Sequence, residues 1–151
     1  MITLLAIGKK HESWVNEGVE RYQKRLKKPF DVEWILLPHS SREGLQARQE
    51  ESERILSRLK DDEFVILLDE LGELPSSPAL SRLLLGRLEN SQPVKIIIGG
   101  AYGVNDELRA RADKVLALSP LVFPHQLVRL ILAEQLYRAQ EIASGRPYHH
   151  E

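Results

Sequence analysis

The sequence predicts an α/β protein with a mostly parallel β-sheet covered by helices on both faces. Strand-like and helix-like segments alternate along the chain, and the strand-like segments are nearly continuous apolar runs. Such runs are typical of strands that are buried on both faces, as in parallel sheets flanked by helices. No repeat, linker or low-complexity segment interrupts the chain, so residues 1–151 are interpreted as a single domain.

Five strands and five helices are predicted, in strict alternation. Apolar runs bounded by turn residues predict the strands, which are placed at residues 2–8, 30–37, 63–70, 93–100 and 114–119. Apolar residues at helical spacing predict the helices, which are placed at residues 12–26, 42–59, 78–89, 105–112 and 124–144.

Several residues with known preferences mark the ends of the predicted helices. Ser13, Ser77 and Asn105 are candidate N-caps, because short polar side chains can accept a hydrogen bond from a free N–H of the first turn. Pro78 suits the first helical position, and Gly145 is expected to end the last helix.

The last predicted helix, residues 124–144, is apolar around nearly its whole circumference. A helix of this kind is buried on several sides. In a chain of 151 residues, we therefore expect it to contact a second subunit as well as its own sheet.

Composition and charge exclude several classes of function. The chain has no cysteine, which excludes disulfides, thiolate metal sites and a cysteine nucleophile, and which fits a cytosolic protein. No signal peptide or membrane span is expected, because the apolar runs are too short. The net charge is −1, but the first 60 residues are net basic and include "RYQKRLKK" at positions 21–28. That cluster is either the solvated face of a helix or a patch that contacts phosphates.

In open α/β sheets, ligands bind beyond the carboxyl ends of the strands, which selects the loops after Leu68, Ile98 and Leu118. The loop "IIIGGAYGVND" is neither a dinucleotide-binding fingerprint nor a P-loop. The acidic start of the following helix would repel a phosphate. The loop is therefore either a floor for an uncharged or zwitterionic ligand, or simply a tight turn.

The other two loops carry different chemistry. In "LLDELGE", Asp69 and Glu70 could contact a ribose hydroxyl or an amino group, or could be plain surface acids. In the loop "LSPLVF", the apolar residues "LVF" lie between Pro120 and Pro124, and such a loop must bury its side chains or hold something flat against them.

His125 and Arg129 follow this apolar loop, one helical turn apart on one face. The helix N-terminus and the nearby arginine both disfavour the positive imidazole, so a neutral His125 is predicted near pH 7. The alternative is that His125 caps the helix and that Arg129 pairs with an acid or with solvent.

The chain ends in "GRPYHHE", residues 145–151. Chain ends usually fray, but these residues could also bind a metal weakly or belong to an active site. Adjacent histidines on a flexible end lack the fixed geometry of a catalytic metal site, so no metal is expected.

Four segments, "LLDELGE", "IIGGAYG", "LALSPLVFPHQLVRLILAEQLYRA" and "RPYHHE", together resemble the RlmH (YbeA-like) family. That family belongs to the SPOUT class of S-adenosylmethionine-dependent RNA methyltransferases, and the resemblance extends over essentially the whole chain. It implies a cytoplasmic enzyme that methylates N3 of a pseudouridine in the helix 69 hairpin of 23S rRNA, on the assembled 70S ribosome. It also implies a homodimer without a metal or a membrane, and a SPOUT α/β-knot with a C-terminal trefoil knot in roughly residues 64–151.

The resemblance also implies site residues by position. The donor site for S-adenosylmethionine would be Leu68, Gly99, Leu118, Ser119, Pro120, Leu121, Val122 and Phe123. The acceptor imide must lose a proton, which requires a base or a site that stabilises an anion. The candidates for that part of the site are His125, Arg129, Tyr148 and His149. Tyr102, in the variable part of the glycine loop, has no assigned role.

Three rival interpretations remain open at this point. The first is a SPOUT enzyme that acts on transfer RNA. The second is a dimer that binds ribosomes without chemistry. The third is a metal hydrolase that uses the histidines of the tail.

Overall fold

The computed structural model describes residues 1–150, and Glu151 lies outside the described part of the chain. Five strands and five helices alternate along these residues. The strands are β1 (Ile2–Ile7), β2 (Val32–Leu37), β3 (Phe64–Glu73), β4 (Val94–Ile98) and β5 (Lys114–Leu116). The helices are α1 (Ser13–Gln23), α2 (Gly44–Leu56), α3 (Ser77–Glu89), α4 (Asp106–Arg111) and α5 (His125–Ala143).

The strands form one sheet in the order β2-β1-β4-β3-β5, and every neighbouring pair is parallel. This confirms the predicted α/β class with a parallel sheet. Because β3 lies between β4 and β5, the loops that follow these three strands meet at one edge of the sheet. Parallel strands all present their carboxyl ends at this edge, which we call the carboxyl edge.

Apolar side chains pack on both faces of the sheet, because successive strand residues point to opposite faces. On one face, Leu84 of α3 and Leu136 of α5 pack against alternate residues of the central strands. On the other face, Ile55 of α2 and Leu108 of α4 do the same. Burial on both faces explains why the strands are nearly continuous apolar runs in the sequence.

Helix α1 packs on α5 rather than directly on the centre of the sheet. Val15 and Val19 of α1 are buried against Ala133 of α5, beside the half-buried Trp34 of β2. Helix α5 is thereby covered by the sheet on one side and by α1 on another, which explains part of its apolar circumference.

Two predicted helix caps are wrong and one is confirmed. Ser76, not Ser77, is the N-cap of α3, because its hydroxyl accepts a hydrogen bond from the N–H of Ala79 at 3.1 Å. Ser13 is the first residue of α1 and not its cap. Asn105 caps α4 as predicted, accepting from the N–H of Leu108 at 2.9 Å.

Strand β3 is longer than predicted and β5 is shorter. Beyond Leu68, β3 bulges and then pairs again, with Glu73 opposite Leu116 of β5. Polar residues there belong to a strand because a neighbouring strand provides hydrogen bonds, not because of their own propensity. This extension carries Asp69 and Glu70 along the carboxyl edge.

Candidate functional site

A cavity of about 520 Å³ opens at the carboxyl edge, where β3, β4 and β5 end. We call it the edge cavity. Its size lies within the range that is usual for sites that hold a small molecule. Its wall is formed by the glycine loop (99–103), the loop 118–123, the outer part of β3, helix α4 and the first turn of α5.

Most of the residues predicted for a donor site line the edge cavity. Those in its wall are Leu68, Gly99, Leu118, Ser119, Leu121, Val122 and Phe123. Pro120 is exposed and is not part of the wall. Leu121 and Val122 are 70% and 74% exposed, so this side of the cavity is an open apolar rim.

The glycine loop forms the floor of the edge cavity and is fixed from below by α2. A Cβ atom at Gly100 would overlap Oε1 of Glu51, a buried carboxylate of α2. Gly103 has a positive φ of 78°, and its N–H donates to the carbonyl of Gly100 at 3.1 Å. Arg48 of α2 donates to the carbonyl of Tyr102 at 2.7 Å. Both glycines are therefore required by close packing and by backbone conformation.

His125 is the first residue of α5 and lies in the wall of the edge cavity. Burial lowers the pKa of its imidazole, and the charges of Arg129 and His39 lower it further. A hydrogen bond with the backbone of Gly99 and the charge of Glu51 raise this pKa but do not reverse the shift. The lowered pKa favours the neutral imidazole near pH 7, which is the direction predicted, and burial is its largest cause.

Arg129 is not in the wall of the edge cavity but lies buried beneath it, with 1% of its surface exposed. Its guanidinium donates to the backbone carbonyls of Ile7 at 2.9 Å, Gly8 at 3.2 Å and Lys10 at 3.1 Å. Burial lowers the pKa of Arg129, but arginine starts from so high a value that it keeps its charge. It pairs with neither an acid nor solvent, and it holds the segment that follows β1.

His11 completes this buried arrangement. Its Nδ1 lies 3.2 Å from a terminal nitrogen of Arg129, and its ring meets Trp34 edge-on at 4.7 Å. Burial and the charge of Arg129 lower the pKa of His11. A neutral imidazole can accept a hydrogen bond from the guanidinium, so the two side chains are compatible partners.

Tyr148 and His149 of the C-terminal tail are docked on α5. The hydroxyl of Tyr148 donates to Glu134 at 2.8 Å, and Arg138 binds both oxygens of Glu134 at 2.8 and 3.2 Å. Nδ1 of His149 lies 3.1 Å from Arg138. Burial and the hydrogen bond to Glu134 raise the pKa of Tyr148 to about 12. Arg138 also lies over the Tyr148 ring, 4.9 Å from its centroid.

The docked tail lies away from the edge cavity of its own chain. Glu134 follows His125 by nine residues, which is about 14 Å along a helix axis. Neither Tyr148 nor His149 is in the cavity wall. The structure therefore brings together His125 and seven of the eight predicted donor residues, but not Pro120, Arg129 or the tail.

The sequence did not single out the two arginines of the cavity wall, Arg48 on α2 and Arg109 on α4. Arg48, Asp106 and Arg109 lie in the wall, together with Asp69 and Glu70. Asp69 and Arg109 form an ion pair of 2.7 Å across 40 positions of sequence. No spacing rule connects two residues so far apart. The sequence offered only one weak signal for this pair: Asp69 and Arg109 each lie beside a loop at the carboxyl edge.

Two structural features bear on metal and membrane binding. Within residues 1–150, no group of three or more histidine, aspartate or glutamate side chains is arranged to hold a metal ion. Over the same residues, no helix is sufficiently long and apolar to cross a membrane.

Comparisons with known proteins agree with this architecture. A family model described as "Predicted SPOUT methyltransferase" matches residues 1–149. A protein of Geotalea daltonii named ribosomal RNA large subunit methyltransferase H is 40% identical over 99% of both chains. A protein of Neisseria meningitidis with the same name is also 40% identical over 99% of both chains.

The fold also has a counterpart among solved structures. The structure of a probable methylase family protein from Haemophilus influenzae superposes with a TM-score of 0.58, covering 99% of this chain and 70% of that one. The sequence identity is 13%, so this similarity concerns the fold alone.

Proposed function

Because the chain belongs to the SPOUT methyltransferase family, we propose that it methylates N3 of a pseudouridine in the helix 69 hairpin of 23S rRNA. We propose further that it acts on the assembled 70S ribosome in the cytoplasm, with S-adenosylmethionine as the methyl donor. The names of the relatives support ribosomal RNA of the large subunit as the substrate class. Helix 69, the base and the donor follow from the resemblance described above.

The edge cavity is the observation on which this proposal rests. Seven of the eight residues expected for the donor line it, and its volume of about 520 Å³ suits an adenosyl compound. The apolar loop 118–123 offers a slot for an adenine ring. The donor carries no phosphate, so the acidic residue Asp106 in the wall is compatible with it.

When bound, S-adenosylmethionine would supply an electrophilic methyl group on a sulfonium. The protein's own task is then mainly to align donor and acceptor, which can contribute much of the rate. The glycine loop and the loop 118–123 hold the donor side, and His125 stands where both loops meet α5.

His125 is the residue that we propose to face the acceptor base. Its lowered pKa keeps the imidazole neutral near pH 7, so its free nitrogen can accept the imide proton. The same shift makes the imidazole a weaker base, so transfer relies on close alignment. For Arg129 we propose a positioning role, because its terminal N–H groups are engaged by backbone carbonyls and by His11.

We propose a homodimer in which the tail of one subunit serves the edge cavity of the other. Trp14 is 49% exposed in a groove between α1 and α5, and Leu127 and Ile131 line the same groove. Apolar surface of this kind is typical of a subunit interface. The separation of about 14 Å along α5 between His125 and the tail's anchor Glu134 argues for the partner's cavity over the tail's own. A trefoil knot in roughly residues 64–151 belongs to this proposal as well.

Docking on the ribosome requires contact with phosphates although the net charge is −1. The basic cluster at residues 21–28, doubled in a dimer, is the surface that we propose for it. Binding through this cluster would weaken steeply as the salt concentration rises.

The test is a methylation assay with labelled S-adenosylmethionine. Ribosomes that lack the modification, free 23S rRNA and transfer RNA are incubated separately with the protein, and the labelled base is mapped. Label at N3 of a helix 69 pseudouridine in ribosomes is expected. Label in transfer RNA alone would refute the substrate, and donor binding without any label would favour a non-catalytic ribosome-binding dimer.

The role of the tail and the dimer are tested separately. Deleting residues 148–151 should preserve donor binding in calorimetry and abolish methylation, whereas unchanged turnover would refute a role for the tail. Light scattering at micromolar concentration should give the mass of two chains, and the mass of one chain would exclude the dimer. Loss of activity on adding a chelator would favour a metal hydrolase instead.

A further inference from the structure

The charges in the wall of the edge cavity lie mainly on one side. Asp69 and Glu70 come from the outer part of β3, Asp106 and Arg109 from α4, and Arg48 from α2. The loop 118–123 supplies mostly apolar residues. A ligand with one apolar, flat end and one charged end would match this division.

The ion pair of Asp69 and Arg109 has the most hydrogen bonds on this charged side. Oδ2 of Asp69 accepts from Arg109 at 2.7 Å, and Oδ1 accepts from the N–H of Leu71 at 2.8 Å. Burial opposes ionisation of Asp69, but the hydrogen bonds from Leu71 and Arg109 outweigh it and lower the pKa of the carboxyl. Asp69 is therefore a fixed carboxylate in the wall of the cavity.

Arg109 retains unused donor capacity while it holds Asp69. One terminal nitrogen of Arg109 donates to Asp69. The other N–H groups of its guanidinium have no acceptor among residues 1–150. The side chain is 39% exposed at the cavity wall. Arg48 donates through its Nε to the carbonyl of Tyr102, but among residues 1–150 only Arg109, of these two arginines, is held by a carboxylate of the cavity wall. A planar guanidinium with free N–H groups is well suited to bind a carboxylate.

We propose that Asp69 and Arg109 form a subsite for the α-amino acid end of the methyl donor. Arg109 binds the carboxylate of the ligand, and Asp69 accepts hydrogen bonds from its ammonium group. The wall has three carboxylates and two guanidiniums, so these groups are net negative. The donor is net positive, because it has a sulfonium and an ammonium group but only one carboxylate. This inference rests on the proposed function, because it assumes that the edge cavity binds an adenosyl donor.

Two adenosyl compounds isolate this subsite. S-adenosylhomocysteine carries the amino acid end, whereas 5′-methylthioadenosine has the same adenosine and thioether without it. Calorimetry measures both affinities for the full chain and for the variants Arg109→Gln and Asp69→Asn. Arg82→Gln and Asp61→Asn serve as matched controls, because both residues are exposed outside the cavity wall.

The wild-type chain should bind S-adenosylhomocysteine more tightly than methylthioadenosine. Arg109→Gln should weaken binding of S-adenosylhomocysteine about tenfold or more, the usual effect of losing a hydrogen bond between charged groups. Asp69→Asn should weaken it by a smaller factor. Binding of methylthioadenosine should be unchanged in both variants, which also shows that the cavity remains intact.

Three results would overturn the subsite. An equal loss of affinity for both compounds would mean that the pair contacts the ribose or maintains the shape of the cavity. No loss of affinity for either compound in the variants would mean that the pair does not contact the ligand. Equal affinities of the wild-type chain for the two compounds would mean that the amino acid end of the ligand makes no favourable contact with the pair. If the wild-type chain binds neither compound, the donor in the proposed function fails first, and the subsite fails with it.

Discussion

Replacing Arg129 with alanine should lower the stability of the fold far more than replacing an exposed arginine. The side chain is buried under the edge cavity, with 1% of its surface exposed. It satisfies three backbone carbonyls, those of Ile7, Gly8 and Lys10. Alanine leaves these carbonyls without their donor and creates a void at the end of β1.

The expected magnitude follows from these contacts. A buried polar group left without a partner costs about 1–3 kcal/mol, so three carbonyls set an upper limit of about 9 kcal/mol. Entry of water into the void and release of a buried charge both reduce this value. We therefore expect a loss of about 3–5 kcal/mol, which is a large part of a typical stability of about 5–15 kcal/mol.

Urea unfolding at a fixed protomer concentration measures this loss, since dimerisation would make the stability depend on concentration. Arg129→Lys should recover part of it, because an ammonium group can reach some of the same carbonyls without the planar fork. Arg82→Ala on α3 is the matched control, since that side chain is exposed, and it should change stability by less than about 0.5 kcal/mol.

A loss below about 1 kcal/mol in Arg129→Ala would refute the reasoning, since this is the ordinary effect of a single substitution. It would mean that the three carbonyls find other donors at little cost. The catalytic role for which Arg129 is a candidate in the sequence analysis would then be favoured over a structural one.

Three further predictions concern single groups. The Tyr148 phenol should ionise near pH 12 in an absorbance titration, and a value near 10 would contradict the docked tail. Its contribution to stability is therefore present below about pH 10 and is lost progressively as the pH rises from about 10 to about 12. The pKa of His125 measured by NMR should lie below 6.5, and a value at or above 6.5 would contradict its burial. Because the imidazole is then protonated at a higher pH in the unfolded chain than in the folded one, stability should fall as the pH drops below 6.5. Gly100→Ala should cost about 1–3 kcal/mol because its Cβ overlaps Glu51, whereas Gly86→Ala, in open space on α3, should be neutral or stabilising in the same urea assay.

The fold was predictable because burial on both faces leaves a direct mark in the sequence. The central strands β1 and β4 are apolar at nearly every position, and no tertiary information is needed to recognise such runs. The outer part of β3 was not predictable in the same way. Its pairing of Glu73 with Leu116 depends on a partner strand more than 40 residues later in the sequence.

The site was predictable only in part, for a related reason. Loops at the carboxyl edge follow from strand order, and the resemblance supplied the residues of the loop 118–123. Arg129 could not be assigned from its spacing, because arginine is usually exposed and its partners are backbone carbonyls of β1 and the segment after it. Arg109 was missed because its partner Asp69 is distant in sequence.

His125 and Arg129 lie one turn apart on α5, yet they belong to different environments. His125 is in the wall of the edge cavity, and Arg129 is buried against the end of β1. The charge of Arg129 nevertheless lowers the pKa of His125. Arg129→Ala should therefore raise that pKa, and Arg129→Lys should leave it nearly unchanged.

Loss of methylation in Arg129→Ala would thus be ambiguous by itself, because it could reflect a protonated His125 rather than a missing anion-stabilising group. Measuring the His125 pKa in both variants resolves this ambiguity: a Lys variant that keeps the pKa, the fold and the activity would assign Arg129 a positioning role. A Lys variant that keeps the pKa and the fold but loses turnover would assign its guanidinium a role in the reaction itself.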